Sequence, residues 1–338
     1  MDGTRAGGVT DAADLVGLAQ GFWASKTLLS AVELNLFGLL AAEPLSEEQV
    51  RERLDLHPRA SRDFLDALVG LGLLRRDGGE YRNTDVAQRY LDPASPGSIA
   101  GRLRLLNWRY RIWGGLTDLL RTGERQANQD RDFDKFYSDP TALRRFMAAM
   151  DGANSEIGPA LARAFDWSEY TSFVDVGGAR GNLAADIVRA HPHLRGGCLD
   201  LAPVEPVFDE HMEHLGLTGR VAFHAADFFK DPLPETEVMV FGHVLHDWDD
   251  EDRIRLLRRA HDALPEGGRV LVYDALIADE RTDAANLLRS LSMRLVTPGG
   301  SEYTPAQCRA WLEEAGFTDV TAEPLVAADS LVVARKGA

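Results

Sequence analysis

Cysteine is nearly absent: Cys198 and Cys308 are the only two among 338 residues. One falls on a predicted buried strand and the other on a predicted helix. That excludes a disulfide framework and zinc-type spacing, and it fits a reducing cytoplasm. No apolar run reaches membrane-spanning length. The opening MDGTRAGGVTDAAD lacks the basic-then-apolar pattern of a signal peptide, and residues 1–10 read as unstructured. An excess of positive charge is missing too. Fifty-three acids against 37 Lys and Arg leave a formal charge of −16, which repels polyphosphates and disfavours general nucleic-acid binding. There is no internal repeat and no low-complexity segment. What remains is a chain with 45% apolar residues, long enough for two domains with ample core.

Helical spacing of Leu15, Leu18, Phe22, Leu28, Leu29, Val32, Leu36 and Leu39 predicts two helices between Asp11 and Ala42. Ser46-Glu47-Glu48-Gln49 is a capping box that opens a third. A fourth is expected from Pro58, followed by a hairpin turning at Asp77-Gly78-Gly79. Helix, helix and hairpin in that order read as a winged helix. Between Leu45 and Pro93, however, eight arginines and no lysine face ten acids, a net −2. Asp63 and Asp66 sit on the helix that would read DNA, where a basic face is needed. Packing and dimerisation are the expected roles, with a ligand-sensing transcription regulator as the reading from another class.

After the break Asp92-Pro-Ala-Ser-Pro-Gly97, a helical region runs from Ile99 to Phe165. Strands then alternate with helices: Ser172–Val176, Gly197–Leu201, Val221–His224, Glu237–Phe241, Arg269–Ala275, and a closing pair Val320–Pro324 and Ser330–Ala334. The class is α/β, a Rossmann-like doubly wound domain behind a mostly helical winged-helix domain. Expected boundaries are 1–98, 99–165 and 166–338.

The stretch Phe173–Gly181, FVDVGGARG, runs an apolar strand into Asp175 and a turn with Gly177, Gly178 and Gly181. Such a turn lets backbone approach a nucleoside closely. About twenty residues on, a second strand ends at Asp200, where a carboxylate can grip ribose hydroxyls. A third acid, Asp227, follows the next strand. His243 and His246 lie just past Phe241, at the strand ends where ligands of open α/β sheets bind. Imidazole suits general base work near neutral pH, and Asp274 at the next strand end is placed to orient it. A capping or surface histidine would leave the same trace in sequence.

The ordered run DVGGARG, LDLAPV, AADFF, HVLHDWDDE, LPEGGRVLVYDALI and TPGGSEYTPAQCRAWLEEAGF resembles the S-adenosylmethionine-dependent small-molecule O-methyltransferases of the caffeic-acid type. The resemblance covers nearly the whole chain and implies a homodimer through the N-terminal domain. It implies S-adenosylmethionine as cofactor, S-adenosylhomocysteine as product and no metal. It maps the cofactor site onto Asp175, Gly177, Gly178, Gly181, Asp200, Leu201, Asp227, Phe228, Gly242 and Trp248. Two departures stand out: Ala179 replaces a third consecutive glycine, and Gly242 replaces a lysine that contacts the cofactor. The resemblance makes His246 the base, with Asp274 and Glu302 beside it; Asp274 is shorter than the glutamate common in plant members. Phe146, Met150 and Met293 match ring-clamping positions, with Trp108, Trp113, Asn154, His243 and Thr297 as further pocket candidates. Without the resemblance, these apolar positions read as ordinary helix core.

The implied reaction is methylation of a hydroxyl on a small aromatic natural product. A phenol has a pKa near ~10, so a base raises the reactive phenoxide fraction. Methylation of carbon or nitrogen, or a tailoring step without methyl transfer, remains open on the same fold. A nicotinamide dehydrogenase finds no support after Asp227.

Overall fold

The computed structural model describes residues 9–127, 137, 139–144, 146–147 and 156–337. Most of the opening segment expected to be unstructured lies outside the described residues, as do Met150 and Asn154. The chain divides into two compact units, Met1–Arg111 and Ile112–Ala338. The division falls inside the helix Ala100–Trp113 rather than at the Pro-rich break near residue 97, because that helix packs Ala100 and Leu103 into the first unit's core.

In the first unit, helices Ala12–Glu33 and Leu36–Ala42 are separated by Asn35, whose φ of 58° is left-handed. The Ser46–Gln49 capping box forms and starts the helix Glu47–Arg53. The next helix begins at Ser61 rather than Pro58. Strands β1 (Leu45–Ser46), β2 (Leu74–Asp77) and β3 (Glu80–Asn83) make a small antiparallel sheet in the order β1-β3-β2. Leu36, Phe37, Leu45, Leu65, Leu68 and Leu74 fill the core beneath it. The outer face of the first helix is apolar yet exposed: Leu18 at 72% and Trp23 at 58%, with Leu15 and Phe22 beside them. Asp66 takes the Arg76 guanidinium at 2.6 Å and the Tyr81 hydroxyl at 2.7 Å, so acid and base on this wing are matched to each other.

The second unit is built on seven strands: β4 (Ser172–Val176), β5 (Arg195–Asp200), β6 (Val221–Ala225), β7 (Val238–Gly242), β8 (Arg269–Asp274), β9 (Phe317–Val326) and β10 (Asp329–Lys336). Their order is β6-β5-β4-β7-β8-β10-β9. The first five in this order run parallel, while β10 is antiparallel to both β8 and β9, forming the hairpin expected at the C-terminus. The chain winds outward from β4 to β6, returns, and winds the other way through β7 and β8. That reversal opens a crevice at the carboxyl ends of β4 and β7.

Alternation along each strand sends side chains to opposite faces. Met239, Phe241, Val270 and Val272 pack on helices Asp250–Ala263 and Pro305–Glu314. Val238, Val240 and Leu271 pack on helices Ile157–Ala164 and Asn182–Ala190 on the other face. Cys198 and Cys308 are both buried and free, and they belong to opposite faces of the sheet. No single helix among the described residues is long and apolar enough to cross a membrane. The first two pass such a test only jointly, across a 59° bend.

Candidate active site

The glycine turn after β4 is held from below. The N–H groups of Gly177 and Gly178 both donate to the Leu199 carbonyl, at 2.8 and 3.2 Å. Gly177 and Gly181 have φ of 73° and 83°, which only glycine adopts without strain. Gly178 is required for space instead: a Cβ there would meet Asp175 Oδ2 at 2.6 Å and Cys198 Sγ at 2.8 Å. Asp175 therefore lies beneath the turn, and burial pushes its carboxyl up to about 7, with Asp200 adding to the effect. Ala179, the departure from the glycine pattern, takes a φ of 51°. Its N–H donates to Asp200 Oδ2 at 2.9 Å, which helps hold a conformation alanine disfavours.

Asp200 ends β5 and is buried. Its Oδ1 accepts from the Leu201 N–H at 2.8 Å, and the Tyr137 hydroxyl donates to the same carboxylate. Burial raises its carboxyl to about 6 despite these bonds. Next to it is a crevice of about 420 Å³ lined by Tyr137, Leu201, Ala202, Pro203, Ala225, Ala226, Asp227 and Asp231. Phe228 packs edge-on to Phe229 and Trp248, with centroids 5.0 and 6.0 Å away. Burial pushes the Asp227 carboxyl up, but bonds from Lys230 and the Phe229 N–H outweigh it and leave it below its usual value. Three alanines and a proline line the crevice together with two acids, Asp227 and Asp231.

Gly242, at the end of β7, is explained by its neighbour. A Cβ there would lie 1.8 Å from Tyr273 Cζ and 2.0 Å from its hydroxyl oxygen. The phenol of Tyr273 thus covers the space that a side chain at position 242 would use, and a lysine does not fit.

Beyond β7 the backbone makes a tight turn. His243 has a φ of 53°, and a short 3₁₀ turn, Leu245–Asp247, presents His246. His246 Nδ1 lies 3.1 Å from Glu302 Oε1 and 3.4 Å from Asp274 Oδ1. Carboxylates only accept, so Nδ1 is the donor and Nε2 carries the lone pair of the neutral ring. Asp247 Oδ1 lies 3.8 Å from Nε2. Burial disfavours the imidazolium, but Asp274 and then Glu302 favour it more strongly, and its pKa is pushed up to about 10. Asp274 is fully buried and accepts from the Tyr303 hydroxyl at 2.5 Å. Burial raises its carboxyl, against the opposing pull of His246. Although shorter than a glutamate, Asp274 reaches the ring.

His243 stacks on His246 with centroids 5.5 Å apart and planes 12° from parallel. Its Nε2 lies 3.1 Å from Asp329 Oδ1. Met293 is buried on the helix Ala284–Val296, and Thr297 Oγ1 brackets the next loop by accepting from the Gly300 N–H at 2.8 Å. Phe146 packs against a cluster of Leu143, Met147, Val204 and Val207 that also receives Ala179. Trp108 belongs to the first unit and is half-buried. Sequence reasoning missed Tyr137, Tyr273, Tyr303 and Asp329. Of these only Tyr303 carried a signal, as the residue following Glu302.

A doubly wound sheet with a crevice beside the end of β5, and a carboxylate-held imidazole after β7, fits an enzyme that acts with a bound nucleoside cofactor. The chain belongs to the O-methyltransferase family: residues 113–318 match its O-methyltransferase domain, and residues 16–93 match the O-methyltransferase dimerisation domain. It is 50% identical over 326 residues, 96% of either chain, to the tetracenomycin polyketide synthesis 8-O-methyltransferase TcmO of Streptomyces glaucescens. It is 42% identical over 336 residues, 97% of either chain, to the N,N-dimethyltransferase OxyT of Streptomyces rimosus. Among solved structures, human N-acetylserotonin methyltransferase in complex with S-adenosylmethionine superposes with a TM-score of 0.86 at 32% identity. The match covers 98% of this chain and 100% of that one.

Proposed function

We propose that the protein transfers a methyl group from S-adenosylmethionine to a phenolic hydroxyl of a polycyclic aromatic polyketide, with His246 taking up the hydroxyl's proton. The observation that carries this reading is the pairing of His246 Nδ1 with Glu302 and Asp274, which leaves Nε2 to accept. When bound, the cofactor supplies a methyl on a positively charged sulfur and leaves as S-adenosylhomocysteine. The glycine turn would hold its amino-acid end, Asp200 the ribose, and the crevice between Leu201 and Asp227 the adenine, with Phe228, packed on Trp248, against the ring.

His246 is matched to this task. A phenol ionises near ~10, and the two carboxylates bring the imidazole to about 10 as well. Once the ring is neutral, a proton shared between groups of matched affinity moves with little cost, so the hydroxyl's proton passes to Nε2 as phenol–imidazole becomes phenoxide–imidazolium. Met293 and Phe146 offer apolar walls for a flat acceptor. The name of TcmO supports a polyketide hydroxyl as the target, and that of OxyT favours a second reading, methylation of an amine. The dimerisation-domain match and the exposed apolar face of the first helix support a homodimer.

Incubation with methyl-labelled S-adenosylmethionine and a tetracyclic phenolic polyketide tests the reading. The label is expected in a methoxy group. Label on nitrogen would favour the second reading, and no labelled product across phenols and amines would sink both.

A further inference from the structure

Arg253 lies on the first turn of the helix Asp250–Ala263 and is 1% exposed. A buried cation needs its donors satisfied, and this one spends them on two separate segments. Nε donates to the Leu245 carbonyl at 2.8 Å. Nη2 donates to the Ser301 carbonyl at 2.5 Å and contacts Ser301 Oγ at 3.2 Å. Nη1 reaches Asp250 Oδ1 at 3.0 Å, at the exposed rim. The guanidinium lies over the rings of Tyr303 and Trp311, at 4.9 and 4.7 Å from their centroids.

Each partner adjoins the chemistry. Leu245 precedes His246, Ser301 precedes Glu302, and Tyr303 holds Asp274 through its hydroxyl. The two segments also touch directly: the Ser301 N–H donates to the His246 carbonyl at 2.9 Å, and a Cβ on Gly300 would lie 2.4 Å from that same oxygen. The flat fork of a guanidinium fixes two acceptors at a set separation, which an ammonium or a thioether of similar bulk cannot do.

We propose that Arg253 is a positioning residue for methyl transfer, a buried clamp that sets the spacing between His246 and the carboxylates that hold it. The proposal rests on His246 being the base. The groups facing His246 are Asp247 from its own turn, Asp274 from β8, Glu302 from the Ser301–Thr304 segment, and the stacked ring of His243 with its partner Asp329. Arg253 touches none of them except through backbone and the Tyr303 ring, so its loss acts on geometry rather than on charge contact with substrate.

The experiment compares Arg253→Lys and Arg253→Met with wild type and His246→Ala, in the full chain. Three readouts are taken: kcat and KM, cofactor affinity by calorimetry, and the His246 titration by NMR of histidine-labelled protein. The clamp predicts that kcat falls on the order of 10- to 100-fold in both variants, the scale of a misplaced group. Cofactor affinity should stay within about twofold, since its contacts lie elsewhere. The His246 titration should move to lower pH as Glu302 withdraws. Lysine keeps the charge and should not rescue. If Arg253→Met does not fold, Arg253→Gln, which keeps part of the fork, is read in its place. A folded variant with a lowered melting temperature but wild-type kcat and wild-type titration would overturn the clamp and leave Arg253 a packing residue. Full turnover in His246→Ala would overturn the base instead, and the titration would still judge the clamp.

Discussion

The Tyr303 hydroxyl donates to Asp274 Oδ2 at 2.5 Å, and the other oxygen, Oδ1, has no hydrogen-bond partner among the described residues and lies 3.4 Å from His246 Nδ1. One oxygen of a fully buried carboxylate is thus fixed to the core, and the other is kept for the imidazole. An anion in this position is held by its neighbours on both sides, so loss of either is felt by the other.

Tyr303→Phe removes the fixed side. The buried oxygen then lacks its donor, and stability should fall by ~1–3 kcal/mol, the cost of an unsatisfied buried group. Turnover should fall with it, because Asp274 is free to rotate from His246. Denaturant unfolding and steady-state rates check this. A variant as stable as wild type would mean that water satisfies Oδ2.

The pH dependence follows from the direction of the His246 shift. With its pKa pushed up to about 10, the ring is protonated through the neutral range, and the proton-accepting form grows as pH rises. For a phenolic acceptor, kcat/KM should therefore climb from neutral pH toward 10. Asp274→Asn removes the main carboxylate that favours the imidazolium, so the rising limb should move to lower pH while the rate at its plateau drops. Stability is linked to the same shift. The folded value lies above the unfolded value of about 6.5, so the contribution is complete below that and is lost as pH rises through the folded value. The melting-temperature advantage of wild type over His246→Ala should shrink accordingly between neutral pH and 10. Identical limbs in wild type and Asp274→Asn would detach Asp274 from the base.

Asp200 ties two backbone N–H groups and the Tyr137 hydroxyl beside the crevice, where the ribose is proposed to bind. Asp200→Ala should weaken S-adenosylmethionine binding by ~1.5–3 kcal/mol, the scale of a charge-assisted hydrogen bond. Burial raises this carboxyl to about 6, so cofactor affinity should also fall as pH drops through that value in wild type. Calorimetry showing unchanged affinity in a folded Asp200→Ala protein would remove Asp200 from the site.

Gly242 and Tyr273 should behave as one unit. Gly242→Ala forces its methyl into the phenol ring and should cost ~1–3 kcal/mol, typical of overpacking. Tyr273→Ala opens the space, so the double variant should be more stable than the sum of the two single losses implies. Additive losses would show that the ring moves aside at no cost.

The succession of strands along the chain, the closing hairpin and the glycine turn were legible because each has a local cause. Parallel strands buried on two faces read as continuous apolar runs such as VMVF, and Gly177 and Gly181 sit where φ is positive. His246, Asp274 and Glu302 could be named from motif order, and the structure brings them within 3.4 Å. What stayed hidden depends on approach through space. Nothing near Gly242 in sequence announces that Tyr273, on the neighbouring strand, lies across it. The partnership of His243 with Asp329 spans 86 residues, and the division at Arg111 depends on which core a continuous helix joins.

The most direct measurement is the single-turnover rate of methyl transfer by His246→Ala at saturating cofactor, with cofactor affinity measured alongside. The account predicts near-wild-type affinity, because it assigns the adenosine to Asp200, Asp227 and Phe228. It predicts a lower rate wherever the acceptor is un-ionised, with the deficit shrinking at alkaline pH where a phenol ionises unaided. A His246→Ala protein that transfers methyl at the wild-type rate at neutral pH, to an acceptor un-ionised there, would contradict it.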